Sequence, residues 1–199
     1  NLLIPANAHV LEIGCGSGEL LAQLRATRKT GIDLSATQIA AARRQVPHAE
    51  FFVQAGERVD LGDRRFDIII ISDTLNLAAD VQHLLERLHL VSHPGTRLLI
   101  NFQNSLWRPL LSLAQGLGLK ADQPQNSWLA SSDIFNLLHL AGWSAVWRQG
   151  RILVPFSALG LGTLVNRWLA PLLQWLALTI FIVARPARTS PARALTVSV

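Results

Sequence analysis

The sequence predicts an α/β domain built on a mostly parallel sheet, and three observations carry that expectation. Over the first two thirds of the chain, short β-branched or apolar runs alternate with stretches of helical periodicity, the signature of βαβ units. Four consecutive isoleucines, Ile68 to Ile71, read as a strand buried on both faces. A length of 199 residues is enough to close one such core.

Taken in order, the first strand is expected over residues 8–13, followed by a glycine turn and a helix from about Gly18. The second strand covers 30–33. Ser35 then opens a helix with Gln38 three residues on, a capping-box pattern that satisfies free amides of the first turn. Strands three and four are placed at 50–54 and 66–72, and a helix at 80–91 ends before His93-Pro94-Gly95. The fifth strand follows at 97–102. The rhythm then changes. An extra amphipathic helix is expected over 105–119, a polar loop over 121–128 and a helix over 132–141 that stops at Gly142. A strand over 143–154 is interrupted at Gln149-Gly150, a helical stretch covers 157–176 despite Pro171, and a final strand covers 179–184. Residues 1–184 are read as one domain, and 185–199 as a Pro/Ser/Ala/Arg-rich linker leading to the β-prone run Thr196-Val197-Ser198-Val199.

Composition narrows the class. The single cysteine, Cys15, allows no internal disulfide and points to a reducing compartment, and no signal-peptide pattern is present. There is no methionine, so the chain reads as trimmed at its start. The net charge of +5 is unevenly placed: residues 1–133 hold 12 Lys/Arg against 13 Asp/Glu, whereas residues 134–199 hold six arginines and no acid. A nucleic-acid enzyme would be expected to put its basic patch around the cleft. A basic and greasy final third suits an anionic membrane surface better, the plain alternative being a set of solvated arginines.

The informative stretch is Val10-Leu11-Glu12-Ile13-Gly14-Cys15-Gly16-Ser17-Gly18. Three glycines between a strand and a helix let the backbone turn sharply and approach a ligand closely. A dinucleotide fold spaces its glycines as G-x-G-x-x-G to seat a pyrophosphate. Here the spacing is G-x-G-x-G, and Glu12 stands two residues before the first glycine, poor company for a pyrophosphate and good company for an ammonium group. About twenty residues on, Asp33 ends the second strand. Its carboxylate is placed either to accept two ribose hydroxyls or to cap the following helix, and its distance from the glycine loop favours the ribose.

On these residues the chain resembles class I S-adenosylmethionine-dependent methyltransferases, over roughly His9 to Phe102. The resemblance implies a Rossmann-like, seven-stranded, mostly parallel sheet closed by a C-terminal antiparallel hairpin, with residues 179–184 as one hairpin strand. It implies S-adenosyl-L-methionine as cofactor and methyl transfer to a small-molecule or lipid-linked acceptor that the sequence does not name. Glu12, Gly14, Cys15, Gly16 and Gly18 would line the methionine end, Asp33 would hold the ribose and Leu34 would pack on the adenine. The family often carries an acid just after strand three; this chain has Ala55 and Gly56 there, with Glu57 beside them as the candidate for the adenine amino group. Ser72-Asp73-Thr74 would face cofactor and acceptor at the end of strand four. The Asn/Asp-Pro-Pro-Tyr/Phe motif of amino methyltransferases of bases and glutamine is missing there, which excludes nucleic-acid amino methylation. Asp73 is either a general base on an acceptor hydroxyl or a loop acid bonded to backbone amides.

A looser likeness, over Ile100-Asn101-Phe102-Gln103-Asn104-Ser105-Leu106-Trp107-Arg108-Pro109-Leu110-Leu111 and Gln125-Asn126-Ser127-Trp128-Leu129, is to a bacterial subgroup fused to, or encoded beside, family 2 glycosyltransferases. It implies that residues 196–199 open such a domain, the plain alternative being a short tail whose last four residues are β-prone by chance. A rival reading is a non-catalytic module that keeps the cofactor fold to dock or regulate that partner. The implied location is cytoplasmic, peripheral at the inner face of the membrane.

The remaining candidates carry less. His83, His89 and His93 have no partner acids or cysteines at metal-ligand spacing, so no metal is expected. His139 reads as a half-buried helix residue. The six tryptophans, all beyond residue 100, read as core and interface more than as an acceptor pocket. Residues 168–184 carry no charge, but Pro171 and Gln174 interrupt them and their end is wanted for the sheet, so a strand is expected there and not a span.

Overall fold

The computed structural model describes residues 4–103, 130–151 and 179–187. They form one seven-stranded sheet: β1 (His9–Ile13), β2 (Arg28–Asp33), β3 (Glu50–Val53), β4 (Phe66–Ser72), β5 (Ser92–Gln103), β6 (Trp143–Arg151) and β7 (Thr179–Pro186). Their order is β3-β2-β1-β4-β5-β7-β6, with β1 to β5 parallel and β7 antiparallel to both its neighbours. The α/β class, the parallel sheet and the closing antiparallel hairpin are as expected. The expected helices at 105–119 and 157–176, the loop at 121–128 and the run 196–199 lie outside the described residues, as does most of the stretch 100–111.

The isoleucine run shows how the sequence makes the sheet. Ile69 and Ile71 project into a core with Leu11, Ile13, Leu98 and Phe102, while Ile68 and Ile70 project into the opposite one with Val10. All four are at most 6% exposed, so each contributes about 1.5–3 kcal/mol of burial. Helices α3 (Val81–Arg87) and α4 (Ser131–Leu140) cover the first face through Leu84, Leu85, Ile134 and Leu138. The short α1 (Glu19–Gln23) and α2 (Ala36–Gln45) bring Leu21, Ile39 and Ala42 to the second.

Caps set the helix starts. Ser35 Oγ accepts from Gln38 N–H at 3.3 Å, as the sequence pattern predicts, and Asp80 Oδ1 accepts from His83 N–H at 2.9 Å. At α4 the contact runs the other way, with Asp133 Oδ2 accepting from the Ala130 N–H at 2.9 Å.

Besides shifts of one or two residues at other element ends, four features differ from expectation. The fifth strand starts at Ser92 and carries His93-Pro94-Gly95 through an irregularity, Phe66 pairing Ser92 before Ile68 pairs Arg97. Thr96 closes that bulge by donating to Phe66 O at 2.7 Å and accepting from His93 N–H at 2.8 Å, and a proline is tolerated where the ladder is already broken. The sixth strand passes through Gln149 and Gly150 unbroken; its irregularity lies between Ala145 and Trp147. The helix expected over 80–91 is α-helical only to Arg87, then tightens into a 3₁₀ turn, Leu88–Val91. The last strand runs past 184, because Arg185 and Pro186 pair Ser144 and Trp143 and Ala187 N–H donates to Gly142 O at 2.8 Å.

Candidate functional site

Chain order and sheet order diverge at β1. The chain passes from β1 to β2 on one side, while β4 pairs with β1 on the other, and the crevice beyond the carboxyl ends of such strands is where open α/β sheets take ligands. The glycine turn leaves β1 at this point. Gly14, Gly16 and Gly18 have φ of 71°, 51° and 84°, all in the left-handed region, where a side chain costs about 1–2 kcal/mol. Gly14 has a second constraint: a Cβ there would collide with the side chain of Thr74, whose hydroxyl donates to Ser72 O at 2.9 Å. The turn and the end of β4 therefore touch through a glycine that has no room to grow.

Asp33 closes the turn from the other side. Its Oδ2 accepts from Gly16 N–H at 2.9 Å and its Oδ1 from Ser35 N–H at 2.8 Å. Of the two alternatives left open for this residue, the structure shows the local one: the side chain holds the loop and the start of α2, and it also lines a cleft. That cleft, of about 690 Å³, is lined by Gly14, Asp33, Leu34, Glu57, Thr74 and Leu77 among others. Its size is in the range of small-molecule sites. Leu34 is 76% exposed and Leu77 45%, so two apolar side chains stand uncovered at its wall. Glu57 Oε1 accepts from Ala79 N–H at 2.8 Å, tying the turn after β3 to the loop after β4 across the cleft. Sequence reasoning did not reveal Leu77, Ala79 or Gln54 as part of this wall; no motif marks them, and only the 3₁₀ turn Leu75–Leu77 turns Leu77 outward.

Glu12 lies behind the turn. It is 3% exposed, and its Oε2 is buried with no hydrogen-bond partner. Burial, then the negative charge of Asp33, pushes its carboxyl up to about 8. Burial, then Glu12 and Asp33, pushes the buried Cys15 thiol up to about 12, so it is held as a thiol with none of the character of an activated nucleophile.

The end of β4 divides. Thr74 lines the cleft, but Ser72 faces a second, apolar cavity of about 390 Å³ on the other side of the sheet, with Ile70, Leu99, Trp147 and Phe181. Strand alternation explains this: Ser72 shares the parity of Ile68 and Ile70. Asp73 between them is exposed, with φ of 52°, uncommon for a residue other than glycine, and its N–H meets Asn101 O at 3.3 Å.

Other expected candidates scatter. His89 stacks on Trp143 at 4.6 Å and its Nε2 lies 2.7 Å from Ala141 O; His93 Nε2 lies 3.1 Å from Asp67 Oδ1. Among the described residues no group of three or more His, Cys, Asp or Glu is placed to hold a metal. His139 is exposed and not half-buried, because α4 turns Ile134 and Leu138 inward instead. Trp143 is core, its Nε1–H donating to Leu85 O at 2.9 Å, while Trp147 is 43% exposed. Tryptophans 107, 128, 168 and 175 lie outside the described residues. No helix among the described residues is long and apolar enough to cross a membrane.

Residues 10–95 match a family model described as a methyltransferase domain. The chain is 28% identical over 155 residues to an uncharacterized methyltransferase of Synechocystis, covering 73% of this chain and 71% of that one. It is 34% identical to an O-methyltransferase of Penicillium expansum, over 49% of this chain and 39% of the relative, so it spans well under half of that protein. In structure it is similar to an S-adenosylmethionine-dependent methyltransferase from Mesorhizobium loti, with a TM-score of 0.69 at 17% identity, covering 92% of this chain and 94% of that one.

Proposed function

We propose that the chain is an S-adenosylmethionine-dependent methyltransferase and that it methylates a small-molecule or lipid-linked acceptor from the cleft at the carboxyl ends of β1, β2 and β4; the match of residues 10–95 to a methyltransferase-domain model and the fold support this reading. The observation that carries this reading is the convergence of Gly14, Asp33, Leu34, Glu57 and Thr74 on one cleft. The residues fit the cofactor. Asp33 brings a carboxylate to the cleft wall, the exposed Leu34 offers an apolar face to a purine, and the orphaned Glu12 oxygen suits a cation.

In this reading Glu12, Gly14, Cys15, Gly16 and Gly18 surround the methionine end, Asp33 takes the ribose and Leu34 the adenine. Glu57 reaches the adenine edge with the carboxylate oxygen that Ala79 does not use. Bound S-adenosylmethionine supplies an electrophilic sulfonium methyl group. The protein's part is to hold donor and acceptor in line and keep water out, so positioning carries most of the rate and no dedicated base is obligatory. Asp73, exposed at the end of β4, is the candidate to take a proton from an acceptor hydroxyl. Ser72 has the weaker claim of the three residues there, since it lines the other cavity.

The charge distribution supports an acceptor at an anionic surface in a reducing compartment, the inner face of a membrane, because six arginines and no acids occupy residues 134–199. Calorimetry with S-adenosylmethionine tests the site, and a methyl-transfer assay on membrane extracts tests the activity. Absence of cofactor binding would refute the assignment of the cleft; binding without transfer to any fraction would leave the docking-module reading standing in its place.

A further inference from the structure

We propose that Glu12 carries a proton in the ligand-free protein and releases it to solvent when a cationic ligand docks, so that ligand capture and proton loss are one coupled event. The inference rests on the reading of the cleft as the S-adenosylmethionine site.

The geometry around Glu12 is unusual for a carboxylate. The side chain is 3% exposed, Gly31 of β2 and Ile70 of β4 flank it in register, and neither offers a polar side chain. Its Oε2 has no hydrogen-bond partner. Among the described residues, the ionisable groups that act on it or feel it are Asp33 at the end of β2 and Cys15 in the turn, both acids, and no cation is among them. The Asp33 carboxylate accepts two backbone N–H groups, whereas Glu12 Oε2 accepts none. A second negative charge nearby, in a buried and unsolvated position, is then the one to be neutralised, and a proton is the means at hand. The carboxyl level of about 8 agrees with this picture.

A ligand bearing an ammonium and a sulfonium changes the balance. Its positive charge favours the Glu12 anion, and Glu12 loses its proton to solvent; nothing else is made or broken. The neutral Glu12 carboxyl thus avoids an unpaired buried charge in the ligand-free protein, and gains an ion pair on ligand binding.

The test is calorimetry of S-adenosylmethionine binding at pH 7 in phosphate and in imidazole, whose ionisation enthalpies differ. A group near 8 is mostly protonated at pH 7, so wild type should release roughly 0.9 proton per ligand. Glu12→Gln should still bind, with release near zero. Binding by wild type without proton release would overturn the proposal, as would equal release by the variant. No binding by wild type would refute the site reading itself, and the proposal with it. If Glu12→Gln does not fold, an infrared difference spectrum of wild type decides alone: loss of a protonated-carboxyl band on adding ligand supports the proposal, and no change in that region overturns it.

Discussion

Gly14→Ala separates the two constraints on the glycine turn. Alanine at a φ of 71° costs roughly 1–2 kcal/mol from the left-handed backbone alone. Its Cβ would also lie 2.8 Å from Thr74 Cβ and closer still to the rest of that side chain, an overpacking that costs about 1–3 kcal/mol. The total is about 2–5 kcal/mol of stability. Gly16→Ala is the internal control: its φ is 51°, yet a Cβ there meets nothing within 4 Å, so only the backbone cost of roughly 1–2 kcal/mol applies. Urea unfolding of both variants without ligand should place Gly14→Ala lower by about 1–3 kcal/mol. In a Thr74→Ala background two of the three close atoms are gone, and the gap should shrink by at least about 1 kcal/mol. Equal midpoints for the two glycine variants, or a gap that survives Thr74→Ala intact, would refute the account of the turn as wedged against β4.

Three further outcomes follow from the same contacts. Asp33→Ala should lose both cofactor affinity, by about 1.5–3 kcal/mol in calorimetry, and about 1–2 kcal/mol of stability, because the Gly16 and Ser35 amides lose their acceptor; affinity loss with an unchanged melt would contradict the second role. For Glu12 the raised carboxyl means that wild-type stability is fully present below its unfolded level near 4.5 and declines as pH rises through about 8. Ligand-free Glu12→Gln should therefore gain on wild type with rising pH, by up to about 5 kcal/mol, and parallel stability–pH curves would rule this out. Trp143→Phe should cost about 1–3 kcal/mol by stranding Leu85 O in the core, which thermal unfolding reads directly; an unshifted midpoint would show that water replaces the indole.

Periodicity and residue type made the parallel sheet legible, because a strand buried on both faces has to be apolar at every position, as Ile68 to Ile71 are. The glycine spacing and Asp33 were legible for a similar reason: a positive φ, and two backbone amides in need of one acceptor, leave few residue choices. What remained hidden depends on contacts far apart in sequence. The collision of a Gly14 side chain with Thr74, 60 residues away, leaves no local pattern, and neither does the Glu57–Ala79 bond across 22 residues. His93-Pro94-Gly95 looked like a strand boundary because a turn and a bulge use the same residues, and only the Thr96 hydroxyl decides between them. Ser72 was grouped with Asp73 and Thr74 by sequence proximity, although strand alternation sends its side chain to the far cavity.

The position of β7 has a consequence for synthesis. It fills the gap between β5 and β6, so among the described residues the edge of β5 has no partner, and β6 nothing to pair with, until residues 179–186 have left the ribosome. At roughly 5–20 residues per second, the interval from the end of β5 to the end of β7 lasts on the order of 4–17 s. Throughout it, an edge carrying Leu98, Ile100 and Phe102 is open to strands of neighbouring nascent chains. Translation arrested before residue 179 should leave an aggregation-prone product that already holds the residues lining the cleft, so cofactor affinity and solubility should be separable by the point at which the chain is stopped.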